Sequence, residues 1–226
     1  MIRRSNIIDL PETLRFCGER VPVERWWVRK ELEEAFRFYT GFARNRKRIV
    51  SYLRETRLYF PFIEDRLRDE SLPEDLKYVP VAESELDLQA QSSQKAVGLW
   101  QLMSATGRDR SLRITRYIDE RKDFERATEA AIRKLKDDYH ELGSWFLTLA
   151  AYNEGLNRVK RSLEDHADSS YFNMILPPET MDYCYRLVAL KNILEHPYRY
   201  GFSERPDGAL TIQVVSHAVK EKTSVT

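Results

Sequence analysis

The residues best suited to chemistry lie in four short segments of the 226-residue chain. These segments are Glu83-Ser84, Gly98-Leu99-Trp100-Gln101, Met103–Gly107 and Ala151-Tyr152-Asn153-Glu154-Gly155. Each one places polar or aromatic side chains beside an apolar stretch or a glycine. The sequence has no Gly-rich phosphate loop, no Gly-x-Ser-x-Gly nucleophile motif and no pair of histidines at metal-ligand spacing.

Glu83 is the candidate for acid–base chemistry. It follows Val79-Pro80-Val81-Ala82, an apolar run that ends at the carboxyl group. Partial removal from water disfavours the ionised form and raises the pKa, which is what a general acid at neutral pH needs. A single glutamate beside apolar residues is more often a surface or capping residue, so this interpretation depends on the other segments.

Trp100-Gln101 and Tyr152-Asn153 are candidates for binding a sugar. A tryptophan ring can stack on the apolar face of a sugar, and the amide of Gln101 can both donate and accept hydrogen bonds. The alternative for Trp100 is a core position on a short helix. Tyr152 and Asn153 follow a nearly continuous apolar run, so they either form a hydrogen-bond network facing a cleft or end the helix.

Helices are expected to position these segments, because apolar residues recur three and four positions apart. The predicted helices cover residues 28–39, 44–67, 71–84, 125–142, 144–151 and 179–194. Pro61 is expected to kink the second helix and Pro80 to bend the third. The segments predicted to be irregular are 1–21, 111–123 and 168–178.

The composition favours a mostly α-helical globular fold. Hydrophobic residues make up 42% and charged residues 32%, while 8 glycines and 9 prolines are too few for a turn-rich sheet sandwich or barrel. The formal net charge of +1 argues against a dedicated nucleic-acid binder. The basic cluster Arg44–Arg48 is expected to be a solvated helix face, with attraction to an anionic polymer as the alternative.

No membrane-spanning or export segment is expected. The apolar run Trp145–Tyr152 is far shorter than the roughly 18 residues that a bilayer requires, and the N-terminus lacks the apolar stretch of a signal peptide. The protein is then either cytosolic or has lost an export segment. Cys17 and Cys184 exclude a disulfide-rich scaffold, and whether they pair is left open. No metal or other cofactor is predicted, because the four histidines are scattered.

In this order and spacing the four segments resemble the lysozyme-like domain of the family 1 lytic transglycosylases, which cut bacterial peptidoglycan. The hallmarks of that family are Glu-Ser, then Gly-Leu-x-Gln with Met and Thr just beyond, then Ala-Tyr-Asn-x-Gly. Each motif alone is weak, but the ordered set is specific. The sequence is most similar to the branch of the membrane-bound lytic murein transglycosylases D. The segments that carry this similarity are Leu72–Leu76, Tyr78–Pro80, Trp100, Asp119–Asp123, Ala127–Ala131, Leu176–Thr180, Tyr183 and Pro197–Gly201.

The resemblance covers about residues 21–202 and implies an all-α, lysozyme-like catalytic domain with extra flanking helices. Residues 1–70 are expected to form a helical leader that packs on the core, 71–202 the catalytic domain, and 203–226 a tail or linker. The sequence departs from the family at a few positions. Lys95 stands where glycine is common, Ser104 where proline is usual, and Glu154 and Leu156 flank Gly155 in place of more typical residues.

The resemblance also implies a reaction that uses one carboxyl group, whereas ordinary glycosidases use two. Glu83 would protonate the oxygen between N-acetylmuramic acid and N-acetylglucosamine. As a carboxylate it would then take the proton of the muramic C6 hydroxyl, which closes a 1,6-anhydro ring. Tyr152 would hydrogen-bond near Glu83 and help to position it. The residues expected to contact the substrate are Ser84, Trp100, Gln101, Met103 and Asn153.

Other functions stay open. Asp87, in a predicted loop, could be the second carboxyl group of a lysozyme-type hydrolase, whereas Glu85 is expected to face away from Glu83. The departures at Lys95 and Ser104 are compatible with a domain that binds peptidoglycan without cutting it. A helical scaffold for protein partners is the third alternative. The expected partner is a peptidoglycan glycan strand, which would place the protein in the periplasm or cell envelope.

Overall fold

The computed structural model describes residues 10–164, 170–204 and 210–212. Within them it contains eight α-helices and two small antiparallel hairpins. The helices are α1 (Trp26–Gly41), α2 (Ala43–Asp69), α3 (Val79–Ser84), α4 (Ser104–Asp109), α5 (Phe124–Leu142), α6 (Trp145–Glu154), α7 (Leu156–Glu164) and α8 (Pro178–Glu195). The strands are β1 (Leu14–Phe16), β2 (Glu19–Val21), β3 (Phe202–Glu204) and β4 (Leu210–Ile212). The predicted all-α fold is confirmed.

Helix α6 lies at the centre of the core. Its residues from Trp145 to Ala151 are all buried, as expected for a helix that is apolar on every side. It packs against α5, α7 and α8. Because α6 ends at Glu154, its last turn brings Tyr152 and Asn153 to the edge of the core, where both residues are half-buried.

Helix α8 connects that core to α1 and α3. It packs against α6, α1 and α3 and buries an apolar face that includes Leu187 and Leu190. Pro178 occupies its first turn, where the missing N–H breaks no helical hydrogen bond. The first turns of α8 bond to α3 and α6, the two helices that carry predicted site residues.

Helices α1 and α2 flank the core. Helix α1 buries Leu32 and Phe36 and packs against α8, while α2 buries Ile49 and Ile63 and packs against α1 and α5. Helix α2 continues through Pro61 to its end. Both were predicted from their periodicity, as were α5, α6 and α8, and the ends of these five helices differ from prediction by no more than three residues.

The bent helix predicted over residues 71–84 is divided in two. A 3-10 segment covers Glu74–Tyr78, and α3 begins at Val79. Pro80 does not bend a longer helix, because it lies in the first turn of α3, where proline is well tolerated. Glu85 and Leu86 have φ angles of +57° and +67°, so the helix ends directly after Ser84.

The predicted irregular lead-in contains the β1–β2 hairpin. Its turn is formed by Cys17 and Gly18, with φ angles of +51° and +81°, as in the tight turns that join paired strands. Leu14 and Phe16 point into the core and are buried. Strands of three residues alternate too briefly to give a sequence signal. Cys17 and Cys184 are both free and buried.

The pattern of apolar residues also failed to predict the short helices α4 and α7. Helix α4 has six residues, and α7 buries only Val159, so neither has an extended apolar stripe. Expectations for residues 1–9, 165–169, 205–209 and 213–226 lie outside the described residues, including the N-terminal segment and most of the expected tail. None of the described helices is long and apolar enough to span a membrane. The domain boundaries stay predictions.

Candidate active site

Glu83 opens on a cleft of about 990 Å³. One wall is helix α2. Every fourth residue of this helix from Lys47 to Tyr59 lines the cleft, over a length of about 18 Å. The other wall is the segment from Glu83 to Ser92, and Gln101 lies at its edge.

A second cavity, of about 630 Å³, adjoins the first at Gln101, which lines both. Its walls include Met103, Tyr152 and Asn153. The two cavities lie against the same residue, and together they are called the groove below. An extended groove suits a chain-like ligand better than a compact small molecule.

The carboxyl group of Glu83 is half-buried at the end of α3. The hydroxyl of Tyr183, from α8, donates a hydrogen bond to its Oε1 at 2.7 Å. Burial raises the pKa of Glu83 from its ordinary value of 4.5 to about 7. The hydrogen bond from Tyr183 and the charge of Lys134 oppose that rise, while Glu179 adds to it. A carboxyl group with this pKa is divided between its neutral and ionised forms at neutral pH, which suits an acid that later acts as a base.

Tyr152 bonds to a backbone group and not to Glu83 itself, and its predicted role in positioning Glu83 stays a prediction. Its hydroxyl donates to the backbone oxygen of Trp100 at 2.7 Å. It still lies close enough to Glu83 for that carboxyl group to help raise the pKa of Tyr152, after the larger effect of burial. The residue that holds Glu83 is Tyr183, which the sequence indicated only as part of a similar C-terminal segment. No local pattern could pair two residues that are 100 positions apart.

Ser84 joins α3 to the segment that carries Gln101. Its buried hydroxyl donates to the backbone oxygen of Leu99 at 2.7 Å. Ser84 also lines the cleft, and its contact with the substrate stays a prediction. Gly98 allows this segment to pass close to Arg121. A Cβ at position 98 would lie 2.0 Å from the carbonyl oxygen of Arg121, and the φ of +81° also favours glycine.

Gln101 is held in a left-handed conformation at the junction of the two cavities. Its φ is +47°, and its side-chain Nε2 donates to the backbone oxygens of Gly98 at 2.8 Å and Ala90 at 3.3 Å. These bonds occupy the amide donors. Its side-chain oxygen is therefore the group that can accept a hydrogen bond from a ligand hydroxyl.

Trp100 belongs to the core, and the prediction that it contacts the substrate is wrong. Its side chain is completely buried, and its indole N–H donates to Oγ1 of Thr128 at 2.9 Å, so no ring face is exposed to a sugar. Met103, by contrast, is 46% exposed on the groove. Asn153 also lines the groove, and its Oδ1 accepts a hydrogen bond from Thr180 at 2.9 Å.

Arg121 supports the same segment from behind, and the sequence had not assigned it a role. Its guanidinium donates to the backbone oxygens of Lys95 and Leu102, both at 3.0 Å, and pairs with Asp119 at 2.7 Å. Lys95 has a φ of +67°, which explains physically why glycine would be favoured at that position.

Three further carboxyl groups line the cleft, those of Glu55, Glu85 and Asp87. The helix does not persist to Glu85, which ends it in a left-handed conformation and lines the cleft. Arg48 pairs with Glu85 at 3.1 Å. Asp87 also lines the cleft, and its Oδ1 accepts a hydrogen bond from the backbone of Gln89 at 2.8 Å.

The basic cluster Arg44–Arg48 is only partly a solvated face. Lys47 and Arg48 line the cleft. Arg46 donates to the backbone oxygens of Tyr200 and Gly201 at 3.1 and 3.0 Å, so it fixes the chain that follows α8 against α2. The expectation of a solvated face therefore holds for the exposed Arg44 and Lys47 but not for Arg46 and Arg48, which are half-buried and paired.

An all-α domain in which a half-buried carboxyl group opens on a long groove has the architecture of the lysozyme-like fold. The sequence comparison gives the family: the Transglycosylase SLT domain family matches residues 60–175, about half of the chain. The chain therefore belongs to the Transglycosylase SLT domain family. Tyr183 lies beyond the matched residues.

Relatives agree with this assignment. The membrane-bound lytic murein transglycosylase D of Escherichia coli (strain K12) is 33% identical over 160 residues, which cover 67% of this chain and 35% of that protein. A putative tributyltin chloride resistance protein of Alteromonas sp. (strain M-1) is 31% identical over 108 residues, covering 47% of this chain and 52% of that protein. The chain thus spans about a third to a half of the length of these relatives.

Two solved structures share the fold. The 70 kDa soluble lytic transglycosylase of Escherichia coli superimposes with a TM-score of 0.54 at 21% identity, over 62% of this chain and 24% of that one. The lytic transglycosylase Slt of Pseudomonas aeruginosa gives a TM-score of 0.53 at 19% identity, over 62% of this chain and 24% of that one.

Proposed function

We propose that this protein is a peptidoglycan lytic transglycosylase. It cleaves the β-1,4 bond between N-acetylmuramic acid and N-acetylglucosamine and leaves a 1,6-anhydromuramic end. The observation that carries the proposal is the carboxyl group of Glu83, which is half-buried in the cleft, accepts a hydrogen bond from Tyr183 and has a pKa raised to about 7. Membership of the Transglycosylase SLT domain family and similarity to a murein transglycosylase support it.

The reaction begins with Glu83 in its neutral form. It gives its proton to the glycosidic oxygen as the bond to the anomeric carbon breaks. The resulting carboxylate takes the proton of the C6 hydroxyl on the same muramic residue, and the C6 oxygen bonds to the anomeric carbon. The carboxyl group is then neutral again, and no water is consumed. Because the nucleophile is part of the substrate, it is already near the reacting carbon, which lowers the entropic barrier.

The other site residues divide into two groups. Gln101, Asn153 and Met103 line the groove and contact the sugars, Gln101 through its free side-chain oxygen. Tyr152 and Ser84 position the segment from Leu99 to Gln101 through their bonds to its backbone. We place the protein in the cell envelope on the strength of this substrate, and the glycan strand is its partner.

The test is digestion of purified sacculi, followed by mass spectrometry of the soluble products. We expect anhydro-muropeptides from the wild type and none from Glu83→Gln, which keeps the shape of the side chain but cannot exchange a proton. Glu141→Gln is the matched control, since Glu141 is exposed on α5 and pairs with Lys160. This variant should remain as active as the wild type.

Two results would contradict the proposal. Products with reducing muramic ends, lost in Asp87→Asn as well as in Glu83→Gln, would indicate a lysozyme-type hydrolase with two carboxyl groups. Binding to sacculi without soluble products between pH 5 and 8 would indicate a domain that holds glycan without cutting it.

A further inference from the structure

An ion pair joins the two walls of the cleft on which Glu83 opens. Nη1 of Arg48, on α2, lies 3.1 Å from Oε1 of Glu85, the residue that ends α3. Both residues line the cleft, and their side chains are 34% and 45% exposed. An ion pair this open to water contributes little to the stability of a whole domain. Its effect is therefore sought in the part of the cleft that it holds.

Glu85 belongs to a strained turn directly after the proposed acid. Glu85 and Leu86 have consecutive φ angles of +57° and +67°, which are unfavourable for residues other than glycine. Their backbone N–H groups donate to the oxygens of Val81 and Pro80 at 3.2 and 3.4 Å and so close the last turn of α3, which carries Glu83. A strained conformation persists only where surrounding contacts hold it.

Contacts from two sides hold this turn. On the side of the core, Leu86 is buried, and the hydroxyl of Ser84 bonds to the neighbouring segment at 2.7 Å. On the side of α2, the contact is the ion pair between Glu85 and Arg48. Helix α3 has only six residues, too few for a helix that is stable by itself. The placement of its last turn therefore depends on such contacts.

We infer that Arg48 is a positioning residue that keeps Glu83 in place by pairing with Glu85 from the opposite wall of the cleft. Arg48 lies outside residues 60–175, the part of the chain that matches the family. The inference rests on the proposed function, because proton transfer to a glycosidic oxygen requires the carboxyl group at a fixed position. Without the pair, the strained turn opens more often, and a smaller share of molecules presents Glu83 in its reactive position.

The test compares variants of the full chain. Arg48→Met and Glu85→Ala each remove the pair and keep the strain. Glu85→Gly also removes the pair, but glycine adopts the left-handed conformation at no steric cost, so the turn no longer needs Arg48. The double variant Arg48→Met with Glu85→Gly completes the cycle. Arg48→Lys keeps the positive charge, and Arg68→Met removes an exposed, paired arginine from the same helix.

The first measurement is kcat and KM on soluble glycan strands. We expect kcat to fall about threefold in Arg48→Met and in Glu85→Ala, with KM changed by less than about twofold. Glu85→Gly should stay within about twofold of the wild type, and adding Arg48→Met to it should cause no further loss. Arg48→Lys should recover most of the lost activity, and Arg68→Met should match the wild type.

The second measurement is hydrogen exchange at the amide of Leu86, followed by NMR, which needs no turnover. Because this amide closes the last turn of α3, we expect it to exchange about threefold faster in Arg48→Met and at the wild-type rate in Arg68→Met. A wild type that forms no anhydro-muropeptides would refute the proposed function, whereas the exchange rates would still show whether Arg48 holds the turn.

The inference is overturned if Arg48→Met lowers kcat equally in the wild type and in Glu85→Gly, since Arg48 would then act on the substrate directly. A rise in KM at unchanged kcat, or unchanged exchange at Leu86, overturns it as well. It also fails if Arg68→Met has the same effects as Arg48→Met, because the loss would then be one of general stability.

Discussion

The shielded carboxyl group of Glu83 predicts a specific dependence of stability on pH. Below pH 4.5 this group is neutral in both the folded and the unfolded chain, so its burial costs nothing. Between pH 4.5 and about 7 the unfolded chain ionises while the folded chain retains its proton. The wild type must therefore lose stability over this range from this group alone, and above pH 7 the loss is complete.

The size of this loss follows from the pKa values. A rise in the pKa from 4.5 to about 7 corresponds to about 3.5 kcal/mol, at roughly 1.4 kcal/mol for each pH unit. Because the side chain is still partly open to the cleft, we expect about 2 kcal/mol after screening by water. Glu83→Gln avoids the loss, since glutamine is neutral at every pH and its side-chain oxygen can still accept the hydrogen bond from Tyr183.

The assay is urea unfolding at pH 4, 6 and 8, followed by tryptophan fluorescence. We expect Glu83→Gln and the wild type to have similar free energies of unfolding at pH 4, and the variant to be more stable by about 2 kcal/mol at pH 8. Glu141→Gln is the control of opposite sign. The hydrogen bond from Lys160 lowers the pKa of Glu141, so Glu141 stabilises the wild type above pH 4.5 and its variant should not gain stability there.

A difference between Glu83→Gln and the wild type that stays constant from pH 4 to pH 8 would refute the reasoning. So would a variant that becomes the less stable protein at pH 8. Either result would mean that the pKa of Glu83 is not raised in the folded protein, and it would remove the physical basis for its role as an acid at neutral pH.

Three further substitutions test the surroundings of Glu83. Tyr183→Phe removes a hydrogen bond that lowers the pKa of Glu83, so the alkaline limb of the rate profile should move to higher pH while the rate at pH 6 falls about tenfold. Gly98→Ala brings a Cβ to 2.0 Å from a backbone oxygen, and thermal unfolding should reveal a loss of about 3 kcal/mol; an unchanged Tm would contradict the close approach. Lys95→Gly relieves a left-handed lysine and should raise the urea midpoint by the equivalent of about 0.5 kcal/mol, provided that Arg121 still bonds its carbonyl.

Sequence reasoning succeeded where the signal is local. Helices α1, α2, α5, α6 and α8 each carry an apolar stripe or an apolar run long enough to be recognised. Glu83 and Gln101 were proposed because motifs place chemistry-bearing residue types within a few positions of one another, and both line the cleft. The β1–β2 hairpin and the short helices α4 and α7 were missed, since the burial of so few residues leaves no period to detect.

The partners of the site residues could not be read from the sequence for a different reason. Tyr183 reaches Glu83 across 100 residues, and Lys134 meets Tyr152 only because α5 and α6 pack side by side. The sequence around an isolated tyrosine or lysine on a helix does not show whether that residue belongs to a site, to the core or to the surface. These pairings are decided by helix packing, which depends on the whole core.

Trp100 illustrates how such packing can also reverse an interpretation. An aromatic residue beside a glutamine is compatible with sugar stacking or with the core, and the choice depends on whether a buried partner exists for the indole N–H. Thr128 of α5 provides that partner, so the ring turns inward and its backbone oxygen is left to receive the hydroxyl of Tyr152. Trp100 therefore acts on the groove through its main chain: its backbone oxygen anchors Tyr152, and the residue that follows it, Gln101, lines both cavities.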